Sequence, residues 1–496
     1  MRILFFLNNV SKTRHFDSVI HLLADRGHTI VLAAARQRNR PLTLPKNLSR
    51  VNDVLIGKRA PGRIEVTACP TGRVDRWQRL APAIRQARDY LRFSDDRYSH
   101  ADKLEQRSAM HVPKGWLRLL RDHGWLARRW RLLSRMMAVI ESVIPSEKLF
   151  DLFLTYERAD VVWVTPLVDY GSYQTDYVKS AHRVGVPVVF APFSWDNLTN
   201  RGLIRVEPDR VLVWNDIQKK EATELHGVSP ERVVVTGAPR FDEFFEMRPS
   251  ITRDEFCGRL GLDPAQPYLL YVCSSEFVAP REVEFVMQWV GHLRQAKDPA
   301  VRSCGILVRP HPAHLKQWKG VDPRFPHVAL WHEKETMNAD QGLYDSLHHA
   351  GAVVGLNTSA MIEAGIADKP VLTIVLDDFT GGQSGTLHFH YLRASNGGLL
   401  HEAHSLDEHV AQVALALKGG AAAQARRFVE RFVRPRGLDV PVTPIMADEI
   451  ERVARMGKRP RRRALWQIAA SGGIWIGSRA LHAVAKERPR KRKSKT

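Results

Sequence analysis

The chain has 496 residues, a hydrophobic content of 44% and a formal net charge of +21. This composition excludes a disordered chain, and the length predicts two domains because it exceeds what one ordinary core accommodates. The positive charge predicts an anionic partner, which can be a nucleotide, a phospholipid or a nucleic acid.

The cysteines and the N-terminus bear on the cellular compartment. The four cysteines lie far apart without a Cys-x-x-Cys pair: Cys69, Cys257, Cys273 and Cys304. This spacing disfavours a zinc site and a disulfide framework and fits a reducing cytoplasm. The first apolar run ends at Asn8 and Asn9, too early for a signal peptide, and predicts a buried strand. No segment reaches the roughly 20 apolar residues that span a bilayer, so any membrane contact is expected to be peripheral.

Short apolar runs alternate with helical stretches along the chain. The predicted strands lie near 2–7, 29–34, 63–67, 161–165, 187–191, 210–214 and 232–236, and then near 268–273, 304–308, 327–331, 352–355 and 370–376. Helical segments follow at 406–418, 421–433 and 443–456. Strands separated by helices predict parallel sheets covered on both faces. We therefore predict an α/β protein of two doubly wound, Rossmann-like domains that face a central cleft, with C-terminal crossover helices.

The predicted boundaries follow the strand series. They are an N-terminal acceptor domain at 1–240, a linker at 241–265, a C-terminal nucleotide-donor domain at 266–435, a crossover helix at 436–457 and a basic tail at 458–496. An insertion at about 112–143 interrupts the first domain.

The insertion and the tail share a composition. Residues 114–121 and 125–133 interleave Trp and Leu with Arg at helical spacing, which is typical of an interfacial amphipathic helix. The alternative is a helix whose apolar stripe packs on its own domain. Between Lys458 and Lys495 thirteen Lys or Arg stand against one acid, and two Trp-bearing apolar clusters lie among them. The insertion and the tail both predict contact with an anionic membrane surface. For the tail, the alternative is a disordered, solvated segment.

Two strand ends in the second half of the chain carry polar motifs. Val308-Arg309-Pro310-His311-Pro312 ends one strand, and another leads through Asn357, Thr358 and Ser359 into a short helix. The C-terminal strand ends of an open α/β sheet form its ligand crevice, and helix N-termini there favour phosphate. We therefore predict a nucleotide-donor site that includes Arg309, His311 and the Asn357–Ser359 segment.

Further residues extend this predicted donor site. Glu363 lies one turn into the short helix, where its carboxylate can accept the two hydroxyls of a ribose. Ser274 and Ser275 end the first strand of the second series in another turn suited to phosphate. Glu333 ends the third strand of that series and is a weak candidate.

The acceptor side is predicted in the first domain. Trp195, Asp196 and Asn197 follow a buried strand, where Trp can stack on a sugar face and Asp196 can accept a hydroxyl proton. Further acceptor-side candidates follow the first strand: Asn8, Asn9 and His15. We assign the catalytic roles to Asp196 and His311. The pair His388 and His390 has no third ligand at a diagnostic spacing, so no metal site is predicted.

The residues resemble those of two-domain GT-B glycosyltransferases, particularly the bacterial branch that includes CDP-glycerol glycerophosphotransferases. Gly237–Asp242 is similar to that branch's Gly-x-Pro-Arg-x-Asp segment, Val308–Pro312 to its Arg-x-His-Pro element, and Asn357–Pro370 to its Asp-x-Ser-Ser…Lys-Pro helix. The likeness covers about 160–376. One departure is that Ser194–Asn197 stands where these transferases have Trp-His-Gly, which favours deprotonation of a sugar hydroxyl by Asp196 over polyol-phosphate transfer.

The resemblance implies a cytoplasmic enzyme, peripheral to the inner face of the membrane, that transfers a sugar from a nucleotide-activated donor. The implied acceptor is a lipid-linked or polysaccharide chain of capsule, O-antigen or wall polymer, and neither a cofactor nor a metal is expected. The alternatives are transfer of glycerol or ribitol phosphate from a CDP-linked donor and a UDP-N-acetylglucosamine 2-epimerase-like activity. A basic nucleic-acid-binding protein is a further alternative, but the body of the chain has no RNA-recognition or helix-turn-helix signature.

Overall fold

The computed structural model describes residues 1–35, 64–122, 128–331, 339–419 and 422–475. Its first sheet consists of β1 Arg2–Leu7, β2 Thr29–Ala35, β3 Ile64–Cys69, β4 Val161–Thr165, β5 Val188–Phe190, β6 Arg210–Val213 and β7 Val233–Val235. The second consists of β8 Tyr268–Val272, β9 Gly305–Arg309, β10 Val328–Leu330, β11 Ala352–Gly355, β12 Val371–Ile374 and β13 Leu400–Ala403. All strand pairs are parallel, in the orders β3-β2-β1-β4-β5-β6-β7 and β10-β9-β8-β11-β12-β13.

Helices connect the strands and cover both faces of each sheet. Those of the first domain are α1 Asp17–Asp25, α2 Leu80–Leu91, α3 Asp102–Ala109, α4 Lys114–Asp122, α5 Trp130–Val143, α6 Lys148–Glu157, α7 Gln174–Val184, α8 Asn197–Asn200 and α9 Asp216–Glu224. Those that follow are α10 Asp242–Glu246, α11 Arg253–Leu260, α12 Glu282–Arg294, α13 Pro299–Ser303, α14 Ala339–His349, α15 Ala360–Ile366, α16 Leu406–Leu417, α17 Ala422–Phe432 and α18 Val442–Ala454. A final helical segment, α19, covers 465–475.

The predicted fold class is confirmed. Central strands such as β1 and β4 are almost wholly buried because helices cover them on both sides, and this is why they are continuous apolar runs in the sequence. In each sheet the strand order reverses beside the first strand, which places a crevice at the carboxyl ends. The sequence prediction missed β13, an edge strand in which His401 and Glu402 interrupt the apolar pattern.

Helix α18 returns from the second domain to the first. It packs against α1 and against strands β4 and β5, and its buried face contributes Met446, Ala447 and Ile450 to the apolar cluster that contains β1. The C-terminal segment therefore binds the two sheets together.

A buried carboxylate fixes this crossing. Asp242 accepts hydrogen bonds from the guanidinium of Arg434 at 2.8 Å and from the N–H groups of Val442 and Thr443 at 3.1 and 2.6 Å. The latter are the first residues of α18, so Asp242 caps that helix from a distant part of the chain. Gly237 has a φ of +103°, and a Cβ there would lie 2.4 Å from Val442 Cγ2. The Gly237–Asp242 segment is therefore shaped to fit against the start of α18.

We expect Asp242→Ala to destabilise the protein strongly. The change leaves Arg434 buried without its carboxylate and removes the cap of α18, which together cost about 3–5 kcal/mol. The matched control is Asp448→Ala, since Asp448 lies on α18 itself. This change removes an exposed ion pair with Arg26 and is expected to cost less than about 1 kcal/mol. Thermal or urea unfolding measures both, and similar losses for the two variants would contradict the assigned role.

Candidate functional site

A polar cleft lies between the carboxyl ends of the two sheets and encloses about 220 Å³. One wall comes from the first domain: Arg107, Ser194, Trp195, Asp196, Asn200 and Arg201. The other comes from the second domain: Ser275, Phe277, Val278, His311, Asn357, Thr358, Ser359, Gly382 and His388. The cleft thus unites seven of the residues predicted from sequence, namely Trp195, Asp196, Ser275, His311, Asn357, Thr358 and Ser359.

His311 is oriented by its own loop. Its Nδ1 accepts a hydrogen bond from the N–H of Ala313 at 3.1 Å, so Nε2 carries the proton of the neutral ring. Burial lowers the pKa of His311, and the charges of His314 and Arg14 lower it further. At neutral pH the side chain is therefore an uncharged hydrogen-bond donor.

The Asn357–Ser359 segment is supported from beneath. The N–H of Asn357 donates to Ser274 Oγ at 3.3 Å, and its side-chain amide donates to the carbonyl of Gly382 at 2.6 Å. Ser274 in turn donates its N–H to the carboxyl group of the buried Glu282 at 2.9 Å. Ser274 is therefore a support for the cleft wall and does not line it. Helix α15 has only seven residues, so its dipole adds little to anion binding.

Asp196 projects from the first-domain wall. Asn200 and Asn197 donate side-chain hydrogen bonds to its carboxylate, the second at 3.3 Å. Burial alone would raise the pKa of Asp196, but His388, Arg201 and hydrogen bonds from Ser194 and Asn200 outweigh it and hold the pKa below its ordinary value. The carboxylate is therefore ionised at neutral pH.

Three positively charged or titratable side chains in the cleft were not among the predicted site residues. Arg107 comes from α3, lies over the Phe277 ring at 5.4 Å and has no ion pair within the described part of the chain. Arg201 forms an ion pair with Asp169. His388 crosses from the second domain to contact Thr199 Oγ1 at 3.3 Å, and burial lowers its pKa to about 4. Neither Arg carried a sequence signal, because each depends on a long-range contact for its position.

Two predicted roles require correction. Arg309 does not line the cleft: its guanidinium donates to Gly342 O and Ser346 Oγ of α14, both at 3.1 Å, and lies 4.3 Å from the centre of the Trp331 ring. Trp195 is 4% exposed and packs edge-on against His388 and Phe432. Its ring is therefore not free to stack on a sugar as expected.

The remaining predicted residues lie around the cleft. Asn197 closes the turn by accepting from the N–H of Phe193, and Asn8 is bound to Asp169 and Gln174. Asn9 is exposed in the loop after β1, and His15 packs against Phe193 with ring centres 5.0 Å apart. These four do not line the cleft. Glu333 lies outside the described residues.

Glu363 is buried in the first turn of α15, also outside the cleft lining. Burial raises its pKa to about 7; Arg240, Arg14 and Arg309 lower it, and Asp340 raises it. Its carboxyl group therefore changes protonation near neutral pH.

Within the described ranges no group of three or more His, Cys, Asp or Glu side chains is arranged to hold a metal ion. In the same residues no helix is long and apolar enough to cross a membrane.

The comparisons with known proteins concern the fold. Neither a protein-family model nor a curated protein sequence matches the chain. A protein from Listeria monocytogenes assigned as a UDP-N-acetylglucosamine 2-epimerase is similar in structure, with a TM-score of 0.51, 11% identity and coverage of 94% of this chain and 99% of that one. S. aureus MnaA, in a co-structure with UDP, has a TM-score of 0.50 and 11% identity, and the match covers 93% and 100% of the two chains.

The wall teichoic acid polymerase TagF is similar at a TM-score of 0.43 and 10% identity, over 92% of this chain and 89% of that one. Two doubly wound domains, a polar cleft between them and the matches to the Listeria monocytogenes and S. aureus proteins over nearly the whole length show that the chain has the GT-B fold. At this identity the matches do not distinguish one GT-B activity from another.

Proposed function

We propose that the chain transfers a sugar from a nucleotide-activated donor to a hydroxyl group of a lipid-linked or polysaccharide acceptor in bacterial surface-glycan assembly. The observation that supports this most is the pairing, in one cleft, of the Asp196 carboxylate with His311, Thr358 and Ser359 on the opposite wall. A carboxylate can take the proton of an attacking hydroxyl, and hydrogen-bond donors opposite it can bind a departing diphosphate.

In this reaction the acceptor oxygen forms a bond to the anomeric carbon of the sugar. The bond between that carbon and the diphosphate oxygen breaks, and its electron pair leaves with the nucleoside diphosphate. Asp196 takes the acceptor proton, and Asn197 and Asn200 hold its carboxylate in place. Its depressed pKa ensures that it is deprotonated before the reaction begins.

The leaving diphosphate would bind to the second-domain wall. Nε2–H of His311 and the hydroxyls of Thr358 and Ser359 supply hydrogen-bond donors, and Arg107 and Arg201 add positive charge from the opposite wall. Arginine side chains can neutralise a diphosphate, so we propose that the reaction needs no metal ion and survives EDTA.

The products separate this function from its alternatives. Sugar transfer releases a nucleoside diphosphate, whereas polyol-phosphate transfer from a CDP-linked donor releases CMP. Epimerisation changes a nucleotide sugar without any acceptor. The test is incubation with UDP-, GDP- and dTDP-sugars and CDP-glycerol, with and without an acceptor glycan, followed by identification of the nucleotide. Release of CMP, or product formation without acceptor, would overturn the proposal.

We expect Asp196→Asn to abolish transfer and to leave nucleotide binding intact. The amide cannot accept the hydroxyl proton and keeps the size of the side chain, although its single oxygen can accept only one of the two hydrogen bonds that Asn197 and Asn200 donate. Removal of a general base typically costs about 10²–10⁴-fold in rate. Calorimetry with UDP and CDP checks binding separately, and loss of nucleotide affinity would show that Asp196 belongs to the donor site instead.

We expect His311→Ala to lower kcat/KM by about 30- to 1000-fold, the effect of removing one preorganised donor worth about 2–4 kcal/mol to the transition state. His314→Ala is the control, because His314 lies in the same loop, does not line the cleft and bonds to Gln317. Equal activity of the two variants, with equal thermal stability, would remove His311 from the mechanism.

The pH dependence of donor binding tests Glu363. If its carboxylate accepts the ribose hydroxyls, protonation weakens binding, so nucleotide affinity should fall as the pH decreases through about 7. Glu363→Gln should bind more weakly at pH 8 and lose the dependence centred near pH 7, whereas burial lowers the pKa of His311 and shifts any contribution of that ring to lower pH. Titration calorimetry with a UDP-sugar at pH 6, 7 and 8 makes the comparison, because its diphosphate is esterified at both ends and lacks the terminal phosphate ionisation of UDP, whose pKa is about 6. A wild-type affinity that rises on acidification would contradict the ribose role.

A further inference from the structure

Helix α5 of the insertion has two apolar sides. Its inner side packs into a cluster with Trp77 and Ile84 through Met137 and Ile140. Its outer side exposes Leu132, Met136 and Val139 by 53%, 53% and 55%. These three residues stand at positions i, i+4 and i+7, which lie on one face of a helix.

A buried ion cluster holds α5 in this orientation. Glu141 on its inner side forms ion pairs with Arg85 of α2 and Lys179 of α7, both at 2.9 Å, and Arg85 also binds Asp176 at 2.7 Å. Breaking such a buried network is costly, so the helix cannot turn its outer residues inward. The outer apolar face is therefore a fixed feature of the surface.

The tail docks beside the end of this helix. The N–H groups of Arg459 and Arg461 donate to the carbonyls of Gly185 and His182, both at 2.8 Å. The guanidinium of Arg463 donates to the carbonyl of Val143, the last residue of α5, at 2.6 Å. Helix α19 then places Ile474 and Trp475 against the same apolar cluster that α5 covers.

Helix α19 also leaves an apolar side uncovered. Leu465, Trp466 and Ile468 are 85%, 57% and 50% exposed. Helix α19 begins next to the end of α5, where Arg463 reaches the carbonyl of Val143, and its later residues rest on the cluster that α5 covers, so we treat the two exposed apolar stripes as one surface. We call the six residues Leu132, Met136, Val139, Leu465, Trp466 and Ile468 the α5–tail face.

The two chain segments that form this face carry charge of one sign. Residues 128–140 and 458–475 contain nine Lys or Arg and no acid. Some of these basic residues are engaged, as Arg461 is with Asp209, but Arg128, Arg129, Arg135 and Arg462 are exposed. The sequence beyond α19 carries eight more Lys or Arg between Arg479 and Lys495. An apolar surface rimmed by cations matches the interface of an anionic bilayer, which offers acyl chains next to phosphate.

We propose that the α5–tail face docks the protein on the surface of a bilayer that contains anionic phospholipid, with Leu465, Trp466 and Ile468 entering the headgroup region beside the α5 stripe. The proposal goes beyond the transfer reaction and does not depend on it, because it concerns a surface that shares no residue with the cleft. Nucleic acid would be attracted by the charge alone and would leave the apolar side chains exposed to water.

The test is flotation of the full chain with phosphatidylcholine vesicles that contain or lack phosphatidylglycerol. We expect binding to the anionic vesicles only, weakened by salt, and a reduction of about tenfold or more in partitioning for Trp466→Ser. Leu415→Ser is the matched control, since Leu415 is 62% exposed on α16 of the second domain. The double variant Leu132→Ser and Met136→Ser should weaken binding as Trp466→Ser does. This result would show that the whole α5–tail face binds the membrane, rather than the tail alone.

Point substitutions are preferable to removal of the tail, which would strip Ile474 and Trp475 from the apolar cluster. They also preserve every basic residue, so a loss of binding is attributable to the apolar face. Unchanged flotation of both variants overturns the proposal. So does binding to nucleic acid with no flotation, or a dimer that Trp466→Ser converts to monomer, since a second copy would then cover the face. Circular dichroism confirms that each variant is folded.

Discussion

The relative position of the two domains depends on the buried carboxylate of Asp242. It joins Arg434, at the end of the second domain, to the first turn of α18, which packs on the sheet of the first domain. The close approach is possible because Gly237 has no side chain to collide with Val442. The cleft is formed by two separate sheets, so its shape depends on how the domains pack, and this contact acts together with others such as that of His388 with Thr199.

The two walls of the cleft differ in their electrostatics. The second-domain wall offers neutral groups, since burial keeps His311 and His388 uncharged at neutral pH and Asn357 is fixed by Gly382. The charged groups, Asp196, Arg107 and Arg201, belong to the first-domain wall. An anionic ligand bound to the neutral wall would therefore face both cations and a carboxylate. This arrangement suits a reaction in which the donor's diphosphate gains negative charge while the acceptor's hydroxyl loses a proton.

The sequence was sufficient to predict every strand of the described fold except β13, because buried parallel strands are continuous apolar runs, and strand ends mark the crevice. It could also place His311 and Thr358 at that crevice. It could not predict the direction in which a strand-end side chain points. Arg309 turns to the carbonyls of α14, which lies about 30 residues further along, and His388 reaches a hydroxyl 189 residues away. Such contacts depend on domain packing, which leaves no local periodicity.

The insertion shows a different limit of sequence interpretation. Trp, Leu and Arg at helical spacing in 114–121 and 125–133 favoured either an interfacial helix or a helix packed on its own domain. The first segment forms α4 and packs on the domain through Trp116, Leu117 and Leu120, and residues 123–127 lie outside the described residues. Helix α5, which begins within the second segment, has an apolar stripe on each side, one buried and one exposed. The composition alone could not separate the two because both stripes are present in one segment. Since α5 and the tail pack on the domain that carries Asp196, a bilayer at their outer face would adjoin the proposed acceptor domain. The second domain would then remain in solution, where a nucleotide donor is dissolved.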